Sequence, residues 1–418
     1  MSQAQSNGPL HANPLYALLD PAALRDPYPV LARIREASPV VVDDGMLIVG
    51  DYKTCLDLLR SPVMGSETLA SDRLKAALPA DYREQINVID SIFFLDPPDH
   101  TRQRRLISKA FTPRITAKYE PWIQSIVDGL FSGFAEKGSF DAVRDLATRL
   151  SMGTICELMD IPSGDMAMLR KWSDDLALAT EVPLLAALGS SEMFSTDELA
   201  GFGRTAVSIH AYFADLIHKR RKKPGDDLIT SLLQTEDQGQ TLARHEVTNV
   251  LLNLFIAAHV SVTNLISNGI LALWRNPDQL ELLRNDPSIA PLLVEEVLRY
   301  DAPVQLAARL ALAPTQVGGV DVEPGTFVVL LLAAANRDEA EYPQADRFLG
   351  SRRTKGIGLA FGAGPHYCIG ASLAKLEAEI ALKAVAGLTD FAVDEESLAY
   401  RRHVVVRGMQ SMTVNFRP

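Results

Sequence analysis

Three glycines and one cysteine crowd into ten residues near the C-terminus, Phe361-Gly-Ala-Gly-Pro-His-Tyr-Cys368-Ile-Gly370. Glycines let the backbone approach a large or flat group closely. A strongly helical pattern follows at once, and a cysteine just before a helix start lies where the macrodipole and unpaired N–H groups favour a thiolate. Such a thiolate could be an axial iron ligand. The alternative is a buried structural cysteine beside a glycine-rich turn.

Two charged pairs elsewhere have helical spacing. Glu296 and Arg299 share a helix face at i,i+3 and can form an ion pair. His100 and Arg104, at i,i+4, project together and can donate charge-assisted hydrogen bonds to carboxylates. Taken singly, each of these residues is more simply a surface charge or a satisfied core histidine.

Taken together and in this order, the motifs resemble those of the cytochrome P450 family. The FxxGxHxCxG loop is similar to the family's haem-ligand loop, which implies haem b (iron protoporphyrin IX) with Cys368 as its axial ligand. The resemblance also implies a set of cofactor-binding residues: His100, Arg104, Arg309, Phe361, Gly362, His366, Cys368 and Gly370.

The Glu296 and Arg299 pair resembles the family's ExxR motif, which is buried and braces the haem-loop side of the fold with a third residue. Arg347 is the best candidate for that third member, ahead of Arg352 and Arg353.

The predicted fold is mainly α with small β-sheets, of the cytochrome P450-like haem-thiolate type. Of the 418 residues, 47% are hydrophobic and 22% charged, a globular composition that excludes a disordered or fibrous chain. We expect a polar tail over residues 1–15 and a single domain over 16–418. Sheets are predicted at about 38–50, 304–333 and 400–416, and a long functional loop at 63–95.

The apolar segment Val247–Trp274 predicts a long central helix of roughly 40 Å over the haem. In the family its middle reads Ala-Gly-x-acid-Thr-Thr, and the residues implied to be catalytic here are Ala257, Val260 and Ser261. Val260 stands in place of the acid and Ser261 in place of the threonine. Valine does no acid–base work, whereas serine retains one hydroxyl.

This departure leaves four interpretations open. Ser261 with ordered water suffices for hydroxylation, or a polar group of the substrate supplies the missing function. Alternatively, the enzyme performs oxidative cyclisation or coupling without net oxygen insertion, or its protons arrive by another route. We expect the neighbouring His259 to point away from the iron, and we assign it no catalytic role.

Substrate-contacting residues are predicted by resemblance only and are mostly apolar, which implies a lipophilic, natural-product-like small molecule. Taken singly, each is more simply a core residue. They are Ile89, Phe93, Ile256, Val304, Leu306 and Met409.

The chain carries a formal net charge of −11, which argues against nucleic acid as a partner. Its three separated cysteines and polar N-terminus favour a cytoplasmic protein, and no apolar run is clean enough for a membrane span. Electrons would come from a ferredoxin and a ferredoxin reductase, and we expect a monomer. A basic stretch could dock the acidic ferredoxin, and the equal alternative for its exposed members is a solvated helix face: Arg102, Arg104, Arg105, Lys109 and Arg114.

Two hypotheses from other classes remain open at this point. The first is a non-catalytic haem-binding or sensing module, which no substrate would turn over. The second is a helical scaffold without cofactor, which would be colourless when purified.

Overall fold

The structure is a computed structural model that describes residues 13–42, 45–78, 82, 92–188, 193–352 and 358–417. It is 61% helical with small sheets, which confirms the predicted fold class. The α-helices of the N-terminal part are α1 (Pro21–Arg25), α2 (Tyr28–Glu36), α3 (Tyr52–Arg60), α4 (Asp72–Ala77), α5 (Asp99–Ser108), α6 (Pro113–Thr116), α7 (Glu120–Ala135), α8 (Thr148–Leu158), α9 (Met166–Ala179) and α10 (Val182–Ala187). Those of the C-terminal part are α11 (Thr196–Lys222), α12 (Leu228–Gln234), α13 (Arg244–Arg275), α14 (Pro277–Asn285), α15 (Ala290–Tyr300), α16 (Leu332–Ala335) and α17 (Ala371–Ala386).

Short strands form small sheets, and each of the three segments predicted to hold strands contains some. The strands are β1 (Val40–Val42), β2 (Met46–Val49), β3 (Met64–Gly65), β4 (Ser139–Asp141), β5 (Glu236–Asp237), β6 (Gln240–Thr241), β7 (Ala307–Ala311), β8 (Thr315–Val317), β9 (Val320–Val322), β10 (Phe327–Leu330), β11 (Thr389–Val393), β12 (Ala399–Tyr400), β13 (Met409–Ser411) and β14 (Thr413–Arg417). One sheet has the order β1-β2-β10-β7-β3 and another the order β11-β14-β4. In the larger sheet β2 and β10 run parallel, while the other pairs are antiparallel.

Helix α13 is the central element of the helical part. Its 32 residues span about 48 Å, and it packs against α8, α11 and α17. Glu246 stabilises its start by accepting a 2.7 Å hydrogen bond from the backbone N–H of Ala243. In the described part of the chain it is the one helix long and apolar enough to cross a membrane, and 72% of its most apolar window is buried inside the protein.

Helix α17, which follows the cysteine motif, packs on α13 and on α15, which carries the Glu296 and Arg299 pair. Its buried face joins the largest hydrophobic cluster, in which α7, α8, α11 and α13 also take part. This packing fixes the start of α17, and therefore the loop ahead of it, relative to the long central helix.

Candidate haem-thiolate site

The loop ahead of α17 holds Cys368 two residues before the helix N-cap, Gly370. The Cys368 amide donates a 2.9 Å hydrogen bond to the Phe361 carbonyl oxygen, which closes the loop. Gly364 has a left-handed φ of +68°, and a Cβ there would lie 2.6 Å from the Leu59 carbonyl oxygen. Only glycine fits that position, so the sequence of the loop determines its course.

Burial dominates the protonation of the cysteine. It raises the pKa of the Cys368 thiol, while the Gly370 N–H, Arg104 and Lys375 act in the opposite direction. The helix start alone therefore does not secure the thiolate that the sequence suggests. A metal cation bound to sulfur would do so, because metal binding displaces the thiol proton.

Four basic side chains converge beside this loop, and we call them the basic cluster: His100, Arg104, Arg309 and His366. The rings of His100 and His366 stack with their centroids 3.9 Å apart. Arg104 donates to the backbone carbonyl of Tyr367, next to the cysteine. Arg309 is 8% exposed and donates to the carbonyl of the residue before it, at 2.8 Å.

The electrostatics of the basic cluster call for an anion. Burial lowers the pKa of His366 to about 3, and repulsion from the other three members adds to the shift. Burial also lowers the pKa of His100, whose two ring nitrogens have no hydrogen-bond partner within the described ranges. Buried polar and cationic groups without partners are destabilising. The basic cluster therefore fits the two propionate carboxylates of haem.

Behind the loop lies a buried charge network on α15. Glu296 and Arg299 are each 3% exposed and are joined by two hydrogen bonds of 2.7 and 2.8 Å. The third member is Arg352, whose Nε lies 3.1 and 3.2 Å from the two carboxylate oxygens of Glu296. The prediction of Arg347 is wrong: its exposed side chain donates to Gln344, and only its backbone carbonyl accepts from the network.

The network reaches the cysteine loop through one asparagine. Arg299 donates to the Asn336 carbonyl oxygen at 3.0 Å, and the Asn336 side-chain oxygen accepts from the Leu359 amide at 2.7 Å. Leu359 begins the 3-10 turn Leu359–Phe361, which leads directly into the loop. The ion pair therefore fixes the position of the loop through a continuous hydrogen-bonded path.

The middle of α13 has a stripe of partly exposed residues inside an otherwise buried stretch. Its members, at the i, i+3, i+4, i+7 spacing of one helix face, are Leu254, Ala257, Ala258 and Ser261. This stripe therefore keeps accessible surface in the middle of a helix whose neighbouring residues are buried. Ser261 donates a 2.6 Å hydrogen bond to the Ala257 carbonyl oxygen, and Val260 is 6% exposed.

His259 lies on the opposite side of α13 from this stripe. Its Nδ1 is 3.1 Å from the Ser151 hydroxyl on α8, which also contacts the Thr263 hydroxyl at 3.0 Å. Burial lowers the pKa of His259 to about 4, so the ring is neutral near pH 7 and links two helices. This position agrees with the expectation that it points away from the catalytic side.

The structure divides the predicted substrate residues into two groups. Ile256 and Val304 are partly buried and keep some accessible surface, and Phe93 is 50% exposed in the turn Ile92–Phe94. By contrast, Leu306 and Met409 are 4% and 0% exposed and belong to hydrophobic core clusters.

Ile89 lies outside the described residues. Direct contact of any of the six predicted residues with a substrate stays a prediction.

The predicted docking cations are largely paired within the protein. Arg102 binds Glu246, and Arg105 and Lys109 both bind Asp237 on the β5–β6 hairpin.

Arg104 belongs to the basic cluster, and the exposed Arg114 remains at the surface. A docking partner would therefore compete with internal ion pairs.

The buried acid Glu181 is not singled out by the sequence analysis. Glu181, just before α10, is 1% exposed and accepts hydrogen bonds from three consecutive amides of residues 404–406. The available signal was an acid inside the apolar run Leu178-Ala-Thr-Glu-Val-Pro-Leu184.

A glycine-bounded cysteine, a basic cluster that fits carboxylates and a partly exposed stripe on a long helix are the features of a haem-thiolate oxidoreductase. Comparison with known proteins agrees. The family model for cytochrome P450 matches residues 64–288 and 289–397. Vitamin D(3) 25-hydroxylase from Pseudonocardia autotrophica is 34% identical, covering 94% of each chain. The 6-deoxyerythronolide B hydroxylase of Saccharopolyspora erythraea is 31% identical, covering 93% of this chain and 96% of its own.

Among solved structures, ligand-free CYP164A2 from Mycobacterium smegmatis superposes with a TM-score of 0.86 at 35% identity, covering 96% of this chain and 99% of its own. The chain belongs to the cytochrome P450 family. It is accordingly an oxidoreductase of the haem-thiolate type whose cofactor is iron protoporphyrin IX.

Proposed function

We propose that this cytochrome P450 is a monooxygenase that hydroxylates or epoxidises a lipophilic, natural-product-like small molecule. The observation that carries the proposal is Cys368 on its glycine-bounded loop beside the basic cluster, in which His100 and Arg309 are buried. The apolar stripe of α13 supports a lipophilic substrate, and the two relatives named above are a vitamin D(3) hydroxylase and a 6-deoxyerythronolide B hydroxylase. Haem, when bound, supplies the redox centre that activates dioxygen.

The residues of this chain have distinct proposed roles. Cys368 ligates the iron, and the basic cluster holds the propionates by charge-assisted hydrogen bonds. Phe361, Gly362 and Gly370 shape the loop around the sulfur. The Glu296, Arg299 and Arg352 network keeps that loop in place.

Ser261 is proposed to handle protons with one ordered water. Its own hydrogen is donated to the Ala257 carbonyl oxygen, so its lone pairs are left to accept from water. Val260 brings no proton of its own. Proton delivery then depends on water or on a polar group of the substrate, and both substitutes are weaker than a fixed acid.

The absence of an acid at position 260 also favours a second candidate function, oxidative cyclisation or C–C or C–N coupling without net oxygen insertion. Turnover under ¹⁸O-labelled dioxygen distinguishes the two. A product that carries one labelled oxygen supports the monooxygenase, and an oxidised product without label supports coupling. The substrate for this test would come from a ligand-induced spectral screen of natural-product scaffolds.

We infer that two electrons per turnover come from a ferredoxin and its reductase, and that the protein is a cytoplasmic monomer with one domain over residues 16–418. The bacterial relatives and the buried α13 support this setting. Because Arg105 and Lys109 are engaged by Asp237, docking of an acidic ferredoxin should be weak and strongly dependent on salt. A ferredoxin titration at rising ionic strength tests this: affinity that is unchanged by salt would contradict electrostatic docking.

A further inference from the structure

Glu181 is a fully buried carboxylate that no cation neutralises in the described part of the chain. Its Oε2 accepts from the Val404 and Val405 amides at 2.9 Å each, and its Oε1 accepts from the Val406 amide at 3.2 Å. Three successive N–H groups directed at one carboxylate form an anion-binding concavity. Here the anion belongs to the protein itself.

The segment that Glu181 holds, residues 404–406, also contacts the strand-like segment before β7. Val406 pairs with Val304 in an antiparallel bridge. The Gln305 amide donates to the Val405 carbonyl oxygen at 2.9 Å. Val304, Val405 and Val406 keep partly accessible side chains although their backbones are fixed.

The same segment then passes close to the central helix. A Cβ at Gly408 would lie 2.0 Å from the side-chain oxygen of Asn264, so the backbone there is in direct contact with α13. Asn264 is one turn beyond Ser261. The loop therefore contacts both α13 and the 303–305 segment.

The element that carries Glu181 is tethered on its far side as well. Arg73 donates a 2.7 Å hydrogen bond to the Ala187 carbonyl oxygen, and Tyr16 donates to the Leu188 carbonyl oxygen. Helix α10 also packs against α4. Glu181 is thus a polar link between the α10 segment on one side and the 404–406 loop on the other.

We propose that Glu181 is a positioning residue that joins the α10 segment to the 404–406 loop. It thereby fixes Val304, Val405 and Val406 where these side chains limit the size of the ligand accepted above the haem. This inference rests on the proposed function, because it takes the ligand to bind beside the partly exposed stripe of α13. Glu181 itself touches no ligand. It acts through the three amides it holds.

The experiment compares Glu181→Gln with wild type and with the matched control Glu157→Gln, which changes an exposed glutamate. Glutamine keeps the shape but turns an N–H donor toward backbone N–H groups, so part of the amide contact is lost. The probes are ethyl isocyanide and cyclohexyl isocyanide, which bind haem iron and differ in bulk. Hydrogen–deuterium exchange of a peptide over residues 401–409 is measured in the haem-loaded protein.

We expect Glu181→Gln to speed exchange of the 401–409 peptide at least tenfold and to change cyclohexyl isocyanide affinity at least fivefold. Ethyl isocyanide affinity should stay within twofold, and Glu157→Gln should match wild type in all three measurements. Unchanged exchange overturns the proposal. Faster exchange with no size-dependent change in affinity also overturns it, because Glu181 would then be a structural residue only.

A second measurement on the wild type covers the case in which Glu181→Gln fails to fold. Coupling between a ligand and the loop is reciprocal. Cyclohexyl isocyanide should therefore change the exchange of the 401–409 peptide, whereas ethyl isocyanide should not. Equal effects of the two probes overturn the proposal. The proposed function has a separate test: the reduced wild type treated with carbon monoxide should show the red-shifted absorption band of a thiolate ligand. Absence of that band would contradict the proposed function, so failure of the function and failure of the role of Glu181 are distinguishable.

Discussion

The two sides of the candidate site differ in how many polar contacts hold them in place. Behind the cysteine loop the charged groups are densely paired: Glu296 binds two arginines and a backbone amide, and Arg299 continues to the loop through Asn336. On the α13 side the polar groups are sparse, with one hydroxyl at Ser261 bonded to its own helix. The cysteine side is thus held by many coupled contacts, whereas few polar contacts constrain the stripe of α13.

The largest expected effect comes from breaking the cysteine side. Glu296→Gln leaves Arg299 and Arg352 buried without a counter-charge, which should lower the free energy of unfolding by about 3–5 kcal/mol. Urea denaturation and haem content measure it. A loss below about 1 kcal/mol would mean that the network does not brace the fold.

Glu181 should give the next largest effect, through pH. Burial raises the pKa of Glu181 from 4.5 to about 7. Between these values the folded state holds a proton that the unfolded state has lost, so this contribution to stability is full below pH 4.5 and disappears by about pH 7. The stability of wild type relative to Glu181→Gln should fall by on the order of 3 kcal/mol from pH 4.5 to 8. Denaturation of both proteins over this range measures it, and parallel curves would contradict it.

A matched pair of substitutions separates the two candidate third members of the network. Arg352→Ala removes a nearly buried guanidinium from Glu296 and should cost about 2 kcal/mol. Arg347→Ala changes an exposed side chain and should stay within about 0.5 kcal/mol. Thermal and urea unfolding of the haem-loaded variants decide the order. A larger loss of stability in Arg347→Ala than in Arg352→Ala would show that Arg347 is the third member of the network.

On the α13 side, Ser261→Ala should lower the coupling of electrons to product about tenfold. This loss is smaller than the rate loss expected on removing a general acid, because water can partly replace the hydroxyl. Product formed per NADH consumed is the measurement, with unfolding as a check on stability. Fully retained coupling would remove Ser261 from the catalytic set.

The smallest effect is expected from restoring an acid. Val260→Glu should raise the coupling of electrons to product about twofold if proton delivery limits the reaction. The expected gain is small because position 260 is buried, and burial disfavours the ionised form of the new carboxyl group. Val260→Gln is the control, since it has the same shape without a proton to deliver. Equal coupling in the two variants would show that proton supply does not limit turnover.

The sequence predicts the elements that local rules control. The cysteine loop, the long helix and the strand segments follow from glycine spacing, apolar periodicity and turn residues, and each has its counterpart in the structure. Contacts between segments that are distant in sequence are harder to predict. The choice of Arg352 over Arg347 depends on which side chain of an irregular segment turns inward, and no periodic pattern encodes that orientation.

Glu181 illustrates the same difficulty. Its partners are backbone amides more than 220 residues away, and amides have no sequence signature. A lone acid in an apolar run indicates only that some hydrogen-bond donor must pair with it, and not which one. The pairing of Arg105 and Lys109 with Asp237 also needs the packed hairpin, because the basic stretch by itself resembles an open docking face.

The central claim is that the Cys368 sulfur ligates haem iron, and the carbon monoxide difference spectrum tests it most directly. The reduced wild-type protein should show the red-shifted band of a thiolate ligand, and Cys368→Ala should lack it. The same band in Cys368→Ala, or its absence from a haem-loaded wild type, would contradict the account.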